Sequence, residues 1–208
     1  MLNTAQAVEG AAELIPVVDD DQEQDELARI ISENARELVG EIQTQRDLLR
    51  AEDGTLQVPH VVELLFAIAD RIADLYRRSC VGEGKTIVVE KATADDGLVT
   101  SPVHLGRCVS NLVKNALEAS AAGDTVRIRV SSTDDAVTVD VHNRAVMPEA
   151  VQAQVFQRSF STKANSGRGL GTYSVRLLVT RYLGGVVSFE SKAGEGTTFR
   201  IALPRTVD

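Results

Sequence analysis

The sequence predicts an α+β protein: an N-terminal helical hairpin, completed to a four-helix bundle by a second copy of the chain, followed by a two-layer α/β sandwich. Three observations predict it. Two apolar stripes of helical period occupy the first third of the chain. From Gly82 onward, short alternating strands mix with helices. The last strands are joined by a tight, glycine-bearing turn. The 208 residues allow one domain of ordinary size and a smaller appendage.

Residues 1–22 carry Asp19, Asp20 and Asp21 and no sustained apolar period, so they read as a weakly ordered tail. A helix is expected from near Asp25. Its stripe is Leu27, Ile30, Ile31, Leu38, Ile42, Leu48 and Leu49, and Asp53-Gly54 stops it. Pro59 suits the first turn of a second helix, whose stripe is Val61, Leu64, Leu65, Ile68, Ile72, Leu75 and Tyr76. A hairpin over residues 23–82 cannot bury both stripes alone. Four helices can, which predicts a homodimer through the hairpin. The alternative is a hairpin that packs only on its own C-terminal domain, residues 83–208.

In that domain, residues 86–90, 126–131, 136–141, 186–192 and 197–203 read as strands. Asp134-Asp135 and the stretch 193–196 serve as hairpin turns. Residues 104–121, 149–156 and 172–183 read as helices, the last broken by Gly184-Gly185. Helices on one face of a mixed sheet follow.

Composition narrows the function. Apolar residues make up 43% and charged residues 25%, the balance of a soluble globular protein. No apolar run is long enough to span a membrane, and the N-terminus lacks the flanks of a secretion signal. Cys80 and Cys108 have no metal-like spacing and read as reduced thiols of a cytoplasmic protein, Cys108 in the core. A formal charge of −8 argues against general nucleic-acid binding. It leaves nucleotide binding open, because a phosphate pocket is local.

Three stretches carry chemistry. In residues 111–118, Asn111 and Asn115 share one helix face with Glu118 a turn beyond, while Val109, Leu112, Val113 and Ala116 form the buried side. Neutral oxygens on an open helix face can hold Mg²⁺ beside bound phosphates; the same face can equally be a solvated one. Next, Gly167-Arg168-Gly169-Leu170-Gly171 opens a helix. Glycines admit a close-approaching anion, and the helix start offers free N–H groups; a mobile linker is the alternative. The spacing is not the dinucleotide fingerprint, and no strand leads into it. Finally, Gly194-Glu195-Gly196-Thr197-Thr198 leads into a strand ending at Pro204, by itself an ordinary hairpin.

Taken in order with Phe156 and Lys163, these stretches resemble the ATPase domain shared by histidine kinases, Hsp90-type chaperones, type II topoisomerases and MutL, histidine kinases most closely. Residues 111–116 are similar to their asparagine box and residues 156–163 to their phenylalanine box. Residues 167–171 are similar to the glycine box at the end of the ATP lid, and residues 194–198 to the final glycine-threonine box. The resemblance covers about residues 100–205. It implies a sandwich of the histidine-kinase ATPase type, with ATP and Mg²⁺ as ligands. Asn115 would hold Mg²⁺, with Asn111 beside it as a possible catalytic group. Lys163 and Arg168 would approach the phosphates with Gly167, Gly169, Leu170 and Gly171, and Thr197 would help at the adenine end. A two-component-type pathway follows from the same resemblance, with a response-regulator-like or kinase protein as partner.

The sequence departs from that family twice. The family's Asp-x-Gly-x-Gly motif, whose carboxylate accepts from the adenine amino group, is replaced by residues 142–148. That stretch has no aspartate and no glycine; a shift of one position places Asn143 in the aspartate's role and Ala145 in the first glycine's. A neutral acceptor is worth roughly 0.5–1.5 kcal/mol against roughly 1.5–3 for a charged one, so weaker adenine binding is expected. The second departure is the acceptor. The three histidines are His60, His104 and His142, and none lies between Asp25 and Glu52. Ser32 overlays the phosphoacceptor position, and a serine hydroxyl is a far poorer nucleophile at neutral pH. His60 starts the expected second helix as a surface or capping residue. A module that docks a response-regulator-like partner without phosphoryl transfer, a pseudokinase, is therefore the alternative function.

Overall fold

The structure is a computed structural model describing residue 10, residues 20–158 and residues 170–205. The described residues fall into two compact units, one up to Leu56 and one from Gln57.

The first unit holds one long helix, α1 (Asp21–Glu52). It starts before the expected Asp25 because Asp20 caps it: the Asp20 carboxylate accepts from the N–H groups of Gln22 at 2.8 Å and Glu23 at 3.4 Å. It stops where the turn signal predicts, with Gly54 at φ +73°. Val39, Ile42 and Leu49 lie three and seven residues apart on one side of α1 and are more than half exposed.

The second unit begins with a correction. Residues 61–76 do not form the second helix of a hairpin. Val61–Leu64 is a strand, β1, and the helix α2 (Leu65–Arg77) follows it. β1 pairs antiparallel with a strand that pattern reading missed, β3 (Gly97–Thr100). The physical reason is the cap. Leu64 precedes α2 with no side chain to cap it, so Asp96 caps from a distance. Its Oδ2 accepts from the Phe66 N–H at 2.6 Å and its backbone carbonyl from the Leu65 N–H at 3.2 Å. The four-helix bundle built from residues 23–82 therefore loses its second helix to the sheet unit. Leu65, Ile68, Ala69 and Ala73, the inward face of α2, are buried there.

A five-stranded sheet forms the other layer, in the order β2 (Thr86–Lys91), β4 (Thr125–Ser132), β5 (Ala136–Asn143), β7 (Gly196–Pro204), β6 (Val186–Lys192). β2 and β4 run parallel; every other neighbouring pair is antiparallel. Helices α3 (Pro102–Ala119) and α5 (Gly171–Arg181) join α2 over one face. Alternation along the strands makes that face. Val126, Ile128, Val130, Val137, Val139, Val141, Phe199, Ile201 and Leu203 are buried against Leu105, Val109, Leu112 and Val113 of α3 and Val175 and Val179 of α5. The opposite face is polar, with a bidentate pair between Arg200 and Asp140 at 2.7 and 2.6 Å.

The expected helix over 149–156 is shorter, α4 (Glu149–Gln152). The chain turns after it and brings Phe156 onto Phe189 and Phe199, with ring centroids 5.8 and 6.2 Å away. Cys108 is a core residue as expected, and burial pushes its thiol up to about 12.

Candidate functional site

The end of β5 organises the site. Asn143 is the last residue of the strand and continues the inward alternation of Val137, Val139 and Val141. Its side chain therefore sits on the helix-covered face, 4% exposed. Its Nδ2 has no hydrogen-bond partner. An unmet donor in so buried a place costs roughly 1–3 kcal/mol.

Beyond Asn143 the chain leaves the sheet through residues 144–148, held by a relay of hydrogen bonds. The Met147 N–H donates to Ser191 Oγ at 2.8 Å. The Ser191 hydroxyl meets Thr197 Oγ1 at 2.8 Å, and Thr197 donates onward to the Ala145 carbonyl at 2.8 Å. Thr197, expected at the adenine end, is thus buried and fixes the loop that follows Asn143. Gly196 is needed beside it. At φ +89°, a Cβ there would lie 2.2 Å from the Asn143 carbonyl oxygen. The sequence signal for Ser191 was available only through register, since it pairs with Thr197 across β6 and β7.

α3 supplies the second wall. Asn111 and Asn115 are both half-buried on it. α5 meets α3 at Asn111, because a Cβ on Gly171 would stand 3.3 Å from Asn111 Oδ1. Leu170 precedes α5 without a side-chain cap, and the positive end of that helix starts there. Thr172 Oγ1 donates to the Val155 carbonyl and ties that turn to the chain after α4. The phenylalanine-box residue Phe156 packs in the aromatic cluster, with the Arg176 guanidinium 6.0 Å from its centroid.

The structure thus brings Asn111 and Gly171 into contact, with Leu170 opening α5 and Asn115 one turn along α3. Asn143 and Thr197 pair in register at the neighbouring strand ends. Lys163, Gly167, Arg168 and Gly169 lie outside the described residues. Of the three histidines, His60 is placed differently from the sequence expectation. His60 precedes β1 rather than starting a helix, with Nε2 3.2 Å from the Tyr182 carbonyl. His104 is 7% exposed, and its Nδ1 meets Ser101 Oγ at 2.9 Å. Burial, and then the neighbouring His60, hold His104 below the ordinary histidine value of 6.5. His142 lies on the polar sheet face, 3.0 Å from Thr198 Oγ1. Ser32 is exposed on α1.

A sheet covered on one face by helices, with paired asparagines on one helix and a glycine-bearing helix start beside them, defines a nucleotide-binding class of domain. Residues 100–207 match the model for histidine kinase-, DNA gyrase B-, and HSP90-like ATPases, and the chain belongs to that family. Among its relatives, the sensor histidine kinase YcbM of Bacillus subtilis (strain 168) is 26% identical over 191 residues, covering 89% of this chain and 61% of YcbM. The chain spans a smaller share, 26%, of a sensor protein from Bacillus sp. (strain B21-2). Full-length ShkA, solved in complex with AMPPNP, matches with a TM-score of 0.73 and 17% identity, over 97% of this chain and 43% of ShkA. Histidine kinase ThkA, solved in complex with the response regulator protein TrrA, matches with a TM-score of 0.66 and 18% identity, over 99% of this chain and 60% of the matched chain. At such identities the likeness to the two solved proteins is one of fold. Among the described residues, no helix is long and apolar enough to cross a membrane.

Proposed function

We propose that this chain is the ATP-binding part of a two-component-type signalling protein. It holds Mg-ATP between α3, α5 and the end of β5. The observation that carries the reading is the buried, unpartnered amide of Asn143 at the strand end, in a domain of an ATPase family. Asn115 would hold Mg²⁺ and Asn111 would orient the phosphates beside it. Neutral amide oxygens suit a magnesium ion that keeps most of its waters and draws its remaining ligands from phosphate. The positive end of α5 would face the phosphates, with Lys163, Gly167, Arg168 and Gly169 completing the lid. Bound Mg²⁺ supplies charge neutralisation across the phosphates.

Affinity should be modest, with Kd roughly 10⁻⁵ to 10⁻³ M, because Asn143 offers a neutral contact to the base. Millimolar Mg-ATP should therefore raise the melting temperature of the full chain. No rise would mean that the family's site has lost its ligand and that the docking reading holds. That second reading draws on the absence of a carboxylate at 143 and of glycine at 145. In either reading the partner is a response-regulator-like protein, by analogy with the ThkA–TrrA complex.

Phosphoryl transfer to this chain's own histidines is not expected. All three belong to the second unit, and His60 and His104 are engaged by Tyr182 and Ser101. In-line transfer needs an acceptor within about 3–3.5 Å of the phosphorus, presented by a mobile element. Incubation with labelled Mg-ATP should leave no acid-labile phosphate on the chain. Label lost in a His60→Ala variant would identify His60 as the acceptor and contradict this.

A second copy is expected along α1, where Val39, Ile42 and Leu49 form an exposed stripe.

A further inference from the structure

The base site itself carries an inference about which nucleotides enter it; this rests on the nucleotide-binding reading above. A carboxylate at the end of β5 could only accept hydrogen bonds. It would favour a base that presents an amino group and repel one that presents a carbonyl oxygen. Asn143 has both a donor and an acceptor on one planar group, and half a turn about its last side-chain torsion exchanges them.

The surroundings do not fix that choice. Nδ2 is buried without a partner, although Asn143 is only 4% exposed. The hydroxyls best placed to orient the amide are committed elsewhere. Thr197, its register partner on β7, donates to the Ala145 carbonyl at 2.8 Å. Ser191 meets Thr197 at 2.8 Å and accepts from the Met147 N–H at 2.8 Å. The amide is thus the polar group in this network left for the ligand.

Purines present two opposite patterns at their six-membered edge. Adenine offers a donor at the 6-amino group and an acceptor at N1; inosine and guanine offer an acceptor at the 6-keto oxygen and a donor at N1. An amide matches either pattern with two hydrogen bonds by turning over, because its donor and acceptor lie side by side on one planar group. We propose that Asn143 makes this a dual-purine site, which accepts 6-keto purine nucleotides as well as 6-amino ones. Position 143 then sets base selectivity, with the carboxylate as the selective state and the amide as the tolerant one.

The test is calorimetric titration of the full chain with the magnesium complexes of ATP, inosine triphosphate and the triphosphate of unsubstituted purine riboside. Inosine isolates the keto edge from the 2-amino group of guanine. ATP and inosine triphosphate should bind within about tenfold of each other, and the unsubstituted purine about tenfold more weakly than both. ATP binding with inosine triphosphate about a hundredfold weaker would overturn the inference and leave the nucleotide reading intact. Equal binding of all three would also overturn it, because the edge would not be read at all. No binding of any would remove the nucleotide reading and this inference with it. The variant Asn143→Asp should tighten ATP and weaken inosine triphosphate, shifting their ratio by about tenfold or more. An unchanged ratio in a folded variant overturns the assignment of position 143. The three titrations on the unaltered chain decide the question if the variant does not fold.

Discussion

Asp96 and Asn143 are both buried polar side chains, and their surroundings assign them opposite roles. Asp96, fully buried, is charge-paired: the Phe66 N–H donates to Oδ2, and Lys91 Nζ lies 2.6 Å from Oδ1, an ion pair that balances the charge although that oxygen accepts no well-aligned hydrogen bond. That Lys91 sits 5.6 Å from the Phe66 ring centroid strengthens the anchor. Removing the carboxylate should cost less than the 3–5 kcal/mol of a fully buried pair, because the Lys91 side chain is 33% exposed and can rehydrate. The lost cap remains. Asp96→Ala should therefore lower unfolding stability by about 2 kcal/mol in urea titrations, and Asp96→Asn by less. No loss in either would contradict the assignment of Asp96 as the cap of α2. His104 gives a pH signature. Its proton affinity in the folded chain is depressed by burial and by His60, so the unfolded chain takes up a proton first on acidification. Its contribution is present above the ordinary value of 6.5 and is lost as pH falls through the lower folded-state value. Stability should decline as pH falls below the ordinary histidine value of 6.5, and His104→Gln should flatten part of that slope. An unchanged slope would place the acid sensitivity elsewhere.

Element by element, the sequence is most readable where one periodicity governs a whole segment. The strict alternation of β4, β5 and β7 and the glycine turn at 193–196 gave those strands, and the apolar face of α3 gave that helix nearly residue for residue. Residues 61–76 mislead because the spacing of Val61, Leu64, Leu65, Ile68, Ile72 and Tyr76 continues a helical period across a strand-to-helix junction. The junction is enforced by Asp96, 31 residues after Leu65 in the chain, and local pattern cannot reveal a cap from that distance. β3 is only four residues long and hides within an acidic loop. Reassigning α2 leaves α1 as the described helix with an unspent stripe. Light scattering of the full chain at about 100 μM should report a dimer, and Ile42→Lys should shift it toward monomer. A monomer before substitution would contradict association along α1.

For the whole molecule, the ATPase reading was legible because four short motifs occur in the right order, and folding then explains why order matters. The asparagine face of α3 meets the glycine at the head of α5, and the final glycine-threonine pair meets the end of β5. What remained illegible is what depends on register: the relay through Ser191, the commitment of the Thr197 hydroxyl, and the open donor of Asn143. Lys163 and Arg168, outside the described residues, are assigned to the phosphates by sequence resemblance alone. In the proposed function, α3, α5 and the end of β5 together hold Mg-ATP. Calorimetry of the full chain with ATP, with and without Mg²⁺, tests it most directly when repeated on Asn115→Ala. Magnesium should strengthen binding about tenfold or more in the unaltered chain, and that magnesium effect should be lost in the variant. Magnesium-dependent binding that persists undiminished in Asn115→Ala would contradict it.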